Sequence, residues 1–199
     1  MKRSFDAVLA SIGLTASLPF WCLCALAIKL EDGGPVFYRQ DRVGRDGHVF
    51  KALKFRSMHH DAERATGPLQ ARYEDPRITR VGRLMRATAL DELPQLWNIL
   101  RGDMSFVGPR ALRPGEIEIE GGMPVPLEAV PGYMSRIVVR PGLTGIAQVY
   151  APRDISRRRK FRYDELYIRR RTFGLDMRLI LLSFWISFRG TWESRDRKY

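Results

Sequence analysis

The chain opens with a long uncharged stretch. No residue from Ala7 to Ile28 is charged, most are apolar, and basic residues flank the stretch on both sides. One helix needs roughly 17–25 apolar residues to cross a bilayer, so this stretch is long enough to enter a membrane. Pro19 lies just past its middle, where a missing backbone donor disfavours an unbroken helix. The pattern therefore predicts a membrane-inserted segment over residues 1–30.

Three arrangements fit that segment. In a re-entrant hairpin, two short helices meet near Pro19 and both ends stay cytoplasmic, which positive charge at both ends favours. Ser17 would then bond a backbone carbonyl freed at the break. A kinked helix that crosses the membrane fits the same length. A signal peptide cleaved after Ala25-Leu26-Ala27 is the third arrangement, but the apolar run is long for one. The residues alone leave the first two open.

Two β-like stretches follow the uncharged segment. Residues 36–43 and 48–58 are rich in Val, Phe and Tyr, and Asp46-Gly47 between them is a strong hairpin signal. The next residues, 59–77, are polar and predict an exposed loop.

Two short helices are predicted after that loop. Apolar residues recur at helical spacing over 78–87, opposite a basic face. Pro94 suits the first position of a second helix, and Gly102 suits its end. With the strands, these helices indicate a mixed α/β, helix-rich small globular domain over residues 31–199.

Positive charge narrows the possible partners. The net charge of +12 favours nucleic acid, an anionic membrane surface or a phosphorylated substrate. Arginine is dense from 157 to 171, and the uncharged run 179–188 that follows is too short to span a bilayer. An amphipathic helix at the membrane interface, with Trp185 and Trp192 at headgroup depth, fits this region. A buried core helix fits it as well.

Two adjacent carboxylates, Asp91 and Glu92, lie just before the helix predicted from Pro94. Such carboxylates often only cap a helix start. Lys54 and Arg56, however, alternate along a strand and are expected on one face. The cations expected around the carboxylates are Lys54, Arg56, Arg86, Arg110 and Arg140. Carboxylates among cations favour a phosphate substrate with a divalent ion such as Mg²⁺, since Mg²⁺ bridges carboxylates and phosphates.

These motifs resemble one known family, the small monotopic phosphoglycosyl transferases among the bacterial sugar transferases. The matching stretches follow one another in the family's order and cover nearly the whole chain. They are Lys2-Arg3 with Asp6, and residues 33–47, 50–58, 90–110, 140–149 and 160–167. Their combination is highly specific.

The resemblance implies an enzyme that moves a sugar 1-phosphate from a UDP-sugar to polyprenyl (undecaprenyl) phosphate and releases UMP. That reaction is the first membrane step of exopolysaccharide, O-antigen or glycoprotein glycan assembly. It would take place at the cytoplasmic face of the bacterial inner membrane, beside anionic lipids and without nucleic acid. The sugar, the glycan pathway and the oligomeric state stay open.

The resemblance also implies residue roles. Asp91 becomes the nucleophile that carries the phosphosugar, and Glu92 helps to hold Mg²⁺ (or Mn²⁺) beside it. The positions that match the family around the phosphates are Lys54, Arg86, Arg110, Arg140 and Gln148.

One departure from the family concerns the membrane segment. The family breaks its hairpin at a Ser-Pro pair, whereas here Leu18 precedes Pro19 and the serine is Ser17. The short chain is expected to be the stand-alone form. A membrane-tethered nucleic-acid-binding protein is the main alternative, but no reading motif or aromatic platform is recognisable in the sequence. The intact Asp91-Glu92 pair argues against a non-catalytic scaffold.

Overall fold

A computed structural model of the 199-residue chain describes residues 1–62, 75–152 and 155–192. Its helices are α1 (Lys2–Asp32), α2 (Arg80–Ala87), α3 (Gln95–Arg101), α4 (Tyr133–Ile137), α5 (Ile146–Tyr150), α6 (Arg157–Arg170) and α7 (Phe173–Phe188). Its strands are β1 (Phe37–Val43), β2 (Val49–Phe55), β3 (Ser105–Val107), β4 (Ile117–Glu120), β5 (Met123–Pro126) and β6 (Gly142–Thr144). The predicted mixed, helix-rich domain is confirmed, and the apolar N-terminal segment forms one long helix. Most of the predicted polar loop, 63–74, lies outside the described residues.

The helix α1 has 31 residues and continues through Pro19. By length and composition alone, it could cross a membrane. The helix is assigned without interruption at Pro19, and the re-entrant arrangement stays a prediction. The Ser17 hydroxyl donates to the Leu14 carbonyl at 3.1 Å and accepts from Trp21 Nε1 at 3.0 Å. Pro19 lacks the N–H that would bond the Thr15 carbonyl four residues before it, so the predicted bond from Ser17 is made to the neighbouring carbonyl and not to the freed one.

The N-terminal end of α1 is bonded to the globular domain. Arg3 donates to the carbonyls of Ile99 and Leu100 at 2.5 and 2.6 Å. The buried carboxylate of Asp6 accepts from the Ser105 hydroxyl at 2.8 Å. Since carbonyls at a helix C-terminus have no partner within the helix, Arg3 completes the end of α3.

The C-terminal end of α1 is bonded to the same domain. Glu31 accepts from the backbone N–H of Arg80 at 2.6 Å, which completes the start of α2. Asp32 forms a two-pronged ion pair with Arg56. Ile28 is also buried. Both ends of α1 therefore lie on one globular domain.

The hairpin β1–β2 presents one polar face to the interior. Gln40 pairs with Ala52 and Tyr38 pairs with Lys54. Because opposite residues of an antiparallel pair share a face and alternate residues do too, Arg42 joins the face of Lys54. On the other face, Phe55 meets Trp21 of α1, with ring centroids 5.4 Å apart.

Close backbone packing fixes the turn at residues 108–110. The parallel strands β3 and β6 pair Ser105 with Gly142. A Cβ on Gly142 would lie 2.0 Å from Gly108 N, and a Cβ on Gly108 would lie 2.4 Å from the Arg140 carbonyl oxygen. Glycine at both positions therefore lets the two backbones meet. This contact fixes the position of the turn that carries Arg110.

The helix α7 has a buried side and an exposed side. Leu179, Ile180 and Ile186 lie in the main core cluster. The large apolar side chains on its exposed side are Phe173, Leu181, Phe184, Trp185 and Phe188. The core-helix interpretation therefore holds for one side of α7. Trp192 packs half-buried against the core cluster, rather than beside Trp185.

Candidate active site

A tight turn after α2 places the two carboxylates. Ala89 adopts a left-handed backbone (φ 57°), and residues Leu90–Glu92 form a single 3₁₀ turn. Asp91 and Glu92 are each only 6% exposed. The N-cap of α3 is Pro94, whose own side chain makes no capping bond. Glu92 is paired with cations, so capping a helix does not by itself account for its burial.

Glu92 is bound by two cations. Its Oε1 accepts from Lys54 Nζ at 2.6 Å and from Arg110 at 3.0 Å. Burial acts to raise the pKa of Glu92, but the charges of Lys54 and Arg110 outweigh burial and hold that pKa far below its usual range. Glu92 is thus ionised at any physiological pH.

Arg42 adds a further buried cation. Its guanidinium donates to the Ala111 carbonyl at 2.9 Å and also to Gln40. Burial, together with the nearby charges of Arg110 and Arg113, lowers the pKa of Arg42 to about 10. The group therefore stays charged at neutral pH while surrounded by other cations, which favours an anionic ligand.

These side chains line one recess, with an empty volume of about 270 Å³ that includes open solvent. Its polar lining comprises Arg42, Lys54, Glu92, Gln95 and Arg110. Its apolar floor comes from Ala52, Met104 and Leu143. The recess is therefore a positively charged surface site that includes the carboxylate of Glu92.

A second ion pair supports Arg110 from behind. Arg136 donates to the Arg110 carbonyl at 2.6 Å and to Asp164 at 3.1 Å. Its guanidinium carbon also lies 4.6 Å from the centre of the Phe161 ring. Burial raises the pKa of Asp164 to about 6, against the opposing effect of Arg136.

The other predicted cations lie elsewhere. Strand alternation predicts Arg56 on the same face as Lys54. In the structure Arg56 instead forms an ion pair with Asp32 at the end of α1. Arg140 donates to the Gly102 carbonyl at 2.8 Å, at the opposite end of α3 from Glu92. Arg86 lies in the last turn of α2, which packs against the Leu90–Glu92 turn.

Gln148 takes a supporting position in the structure. It is buried in α5, and its Nε2 lies 3.4 Å from the Gly108 carbonyl and 3.5 Å from that of Gly142. These contacts place it behind the turn that leads to Arg110. The structure thus brings Lys54 and Arg110 to the carboxylates, and leaves Arg56, Arg140 and Gln148 outside the recess lining.

The carboxylates fit a metal that arrives with its substrate. Asp91 and Glu92 offer the hard oxygen donors that Mg²⁺ prefers. Across residues 1–62, 75–152 and 155–192, no group of three or more His, Cys, Asp or Glu side chains could hold a metal ion. Since Mg²⁺ is often bound by one or two carboxylates plus substrate phosphates, this donor set suits such a shared site.

Sequence reasoning missed three residues of this region. Arg42 could have been found by counting back from Lys54 through the hairpin register. Gln95 follows Glu92 by three residues, which is one helical turn. Arg136 carries no local signal, because its contacts with Arg110 and Asp164 join distant parts of the chain.

Comparison with known proteins adds an independent finding. A family model described as bacterial sugar transferase matches residues 1–190. An undecaprenyl-phosphate glucose phosphotransferase of Komagataeibacter xylinus is 41% identical over 189 residues, which cover 92% of this chain but 35% of that protein. An exopolysaccharide production protein PSS of Rhizobium leguminosarum bv. phaseoli is 40% identical over 185 residues, covering 90% of this chain and 91% of that protein.

A third relative is named for a specific reaction. A UDP-glucose:undecaprenyl-phosphate glucose-1-phosphate transferase of Caulobacter vibrioides is 41% identical over 187 residues. The match covers 90% of this chain and 67% of that protein. The chain thus spans from about a third to about nine-tenths of the length of these relatives.

Proposed function

Because this chain belongs to the bacterial sugar transferase family, we propose that it transfers a sugar 1-phosphate from a UDP-sugar to undecaprenyl phosphate and releases UMP. The observation that carries the proposal is the positively charged recess that Glu92, the neighbour of Asp91 in the chain, lines together with Lys54 and Arg110. The names of the relatives support both substrates. The product would begin the assembly of a surface glycan such as an exopolysaccharide.

In the first step, a carboxylate oxygen of Asp91 attacks the phosphorus that bears the sugar. The bond from this phosphorus to the bridging oxygen breaks, and UMP leaves with that oxygen and its electron pair. The product is an acyl phosphate on Asp91 that carries the sugar. Asp91 is assigned as nucleophile by its place in the family's Asp-Glu pair, and its burial beside Glu92 suits a nucleophile shielded from water.

In the second step, a phosphate oxygen of the lipid attacks the same phosphorus and releases the Asp91 carboxylate. Lys54 and Arg110 lie close enough to Glu92 to neutralise phosphate charge at the same place in both steps. Asp91 and Glu92 would hold Mg²⁺ or Mn²⁺ together with the substrate phosphates. When bound, the metal supplies further charge neutralisation at the reacting phosphorus.

The placement of α1 supports entry into the membrane from one side only. Arg3 and Asp6 at one end and Glu31 and Asp32 at the other all bond to the same domain. A helix that crossed the bilayer would place these two ends on opposite sides of its roughly 30 Å hydrocarbon core, where one domain could not bond to both. We therefore propose that residues 1–30 insert without crossing, and that residues 31–199 form the catalytic part at the cytoplasmic face of the inner membrane.

Exposed apolar side chains support the membrane-facing surface. Those of α1 are Val8, Ile12, Leu18, Phe20, Leu23, Leu26 and Leu30. On α7, Phe184, Trp185 and Phe188 are exposed as well. Such surfaces bind at the headgroup boundary, and the arginines of α6 would add attraction to anionic lipids.

A UMP-release assay tests the proposed reaction. Purified protein in nanodiscs containing undecaprenyl phosphate is mixed with UDP-glucose, UDP-galactose or the corresponding N-acetylated sugars, with UDP-glucose expected to be used best given the names of the relatives. Asp91→Asn should abolish UMP release, whereas the exposed control Asp41→Asn, which loses only a surface pair with Lys51, should not. UMP release that is equally fast with Asp91→Asn would refute the proposal.

A further inference from the structure

We propose that Gln95 binds a phosphate oxygen of the nucleoside diphosphate sugar through its side-chain amide nitrogen. This inference deepens the proposed function and rests on it. Gln95 is the first residue of α3 and lies one turn after the Asp91-Glu92 pair. It lines the same recess as Lys54 and Arg110.

The Gln95 amide is a buried donor without a partner among the described residues. Gln95 is 5% exposed. Its amide nitrogen Nε2 is shielded from solvent and has no hydrogen-bond acceptor within reach. Buried polar groups in native proteins are nearly always hydrogen-bonded, because an unmade bond destabilises the folded state. Because Gln95 also lines the recess, a ligand bound there is the candidate partner for this donor.

A second buried amide on the same helix provides the contrast. Asn98 is 2% exposed and fully engaged. Its Nδ2 donates to the Lys51 carbonyl at 2.9 Å, and its Oδ1 accepts from the Leu53 N–H at 2.9 Å. Asn98 therefore joins α3 to β2, which is a structural role. Gln95 has no comparable contact within the described part of the chain, so structure alone does not account for its polarity.

The surroundings of Gln95 select an anionic acceptor. Arg42, Lys54 and Arg110 line the recess with it. Phosphate oxygens only accept hydrogen bonds and carry negative charge, so they suit both the cations and the amide donor. A neutral donor among cations adds direction to phosphate binding without adding charge repulsion between the protein groups. Gln95 is therefore expected to orient the phosphate that Asp91 attacks.

The orientation of the amide can be tested by substitution. If the amide nitrogen faces the phosphate, Gln95→Glu places a carboxylate against it and should be more harmful than Gln95→Met. If the amide oxygen instead faced Lys54 or Arg110, a glutamate would serve in its place and retain activity. That second result would overturn the proposal.

The experiment compares wild type, Gln95→Met, Gln95→Glu and Asn98→Leu in nanodiscs. It measures the midpoint of thermal unfolding without substrate, UMP release against UDP-glucose concentration, and UDP binding by calorimetry. Gln95→Met should unfold at the same temperature as wild type or higher, because it removes an unsatisfied donor. Its kcat/KM should nevertheless fall about 10- to 100-fold, the value of one hydrogen bond to a charged group. Asn98→Leu should unfold at a clearly lower temperature.

Three results would contradict the inference. They are a kcat/KM of Gln95→Met within about twofold of wild type, a fall in its unfolding temperature as large as that of Asn98→Leu, and full activity of Gln95→Glu. Failure of the proposed function looks different, since wild type would then release no UMP from any UDP-sugar. In that case, weaker UDP binding by Gln95→Met would still support the phosphate contact, and equal binding would refute it.

Discussion

Two ion-pair clusters, each built around a buried carboxylate, meet at Arg110, and they differ in charge balance. The dyad cluster consists of Glu92 with Lys54 and Arg110, so one carboxylate meets two cations. The support pair consists of Arg136 and Asp164, one charge of each sign. An excess of cations beside an open recess prepares a site for an anion. A balanced pair away from the recess holds structure, here by fixing the Arg110 carbonyl.

The charge balance around the carboxylate distinguishes the cluster at the recess from the supporting ion pair more clearly than burial does. Glu92 and Asp164 are both at most 6% exposed, yet the pKa of Glu92 is lowered and that of Asp164 is raised to about 6. The charges of Lys54 and Arg110 outweigh the burial of Glu92, whereas those of Arg136 and Arg157 do not outweigh the burial of Asp164. Breaking each cluster in turn should therefore affect different properties of the protein.

The largest effect is expected from the dyad cluster. Glu92→Gln removes the charge that Lys54 and Arg110 share and one proposed metal ligand, so turnover should fall about 10²- to 10³-fold. Raising the Mg²⁺ concentration should restore part of the activity of Glu92→Gln, and excess chelator should stop the wild type. UMP release measured across a Mg²⁺ titration checks both. Wild-type turnover that persists in chelator would contradict the metal assignment.

The support pair should control stability instead. Arg136→Leu leaves Asp164 buried without its cation, which typically costs about 3–5 kcal/mol of unfolding free energy. Because the folded pKa of Asp164 lies above the ordinary value, the native state takes up a proton that the unfolded chain does not as the pH falls through about 6. The penalty should therefore be largest at pH 8 and smaller at pH 5.

Denaturant unfolding at pH 5 and pH 8 measures this pH dependence. Arg101→Leu is a suitable control, since Arg101 is exposed and lies 3.8 Å from Asp103 in a weak surface pair. A penalty for Arg136→Leu that is equal at both pH values would show that Asp164 is not the group left unbalanced.

A single cation of the dyad cluster should have an intermediate effect. Lys54→Met keeps most of the side-chain volume and removes one charged donor, so kcat/KM for the UDP-sugar should fall about 10- to 100-fold. Arg56→Met provides the comparison, because Arg56 binds Asp32 rather than Glu92. Arg56→Met should chiefly lower thermal stability. Equal catalytic losses from both variants would place Arg56 in the recess after all.

The smallest effect concerns the membrane-facing surface. Leu23 and Leu26 are exposed on α1, and changing both to Glu should weaken binding to vesicles of phosphatidylglycerol about tenfold. The charge control is a double change to Gln at Arg45 and Lys51 on the hairpin, both exposed, which lowers the net charge by the same two units. Vesicle sedimentation should report a smaller loss for the control. Equal losses would indicate that attraction is electrostatic and does not depend on α1.

The sequence predicted local elements better than distant contacts. Gly102 ends α3 with a left-handed backbone, as its position after an apolar run indicated. The predicted strands contain β1 and β2, because alternation and Asp46-Gly47 are local signals. The uncharged stretch identified α1, but not its helical continuity through Pro19.

The site was predicted where charge and motif lie close in the chain. Lys54 and Arg110 reach Glu92 as expected. Arg56 does not, because Asp32 at the end of α1 offers a nearer carboxylate. Arg140 and Arg3 both lie at the C-terminal end of α3, a meeting that only tertiary packing creates. The periodicity of a strand or helix predicts the face on which a side chain lies. It does not predict which distant residue that side chain will contact.

The most direct test of the account is to isolate the covalent intermediate. Wild-type protein is incubated with UDP-glucose and Mg²⁺ without undecaprenyl phosphate, and its intact mass and the UMP released are measured together. The account predicts a mass increase of one hexose phosphate on Asp91, with UMP formed in equal amount and the adduct lost to hydroxylamine. An adduct on Glu92, or UMP release that strictly requires the lipid and leaves no adduct, would contradict it.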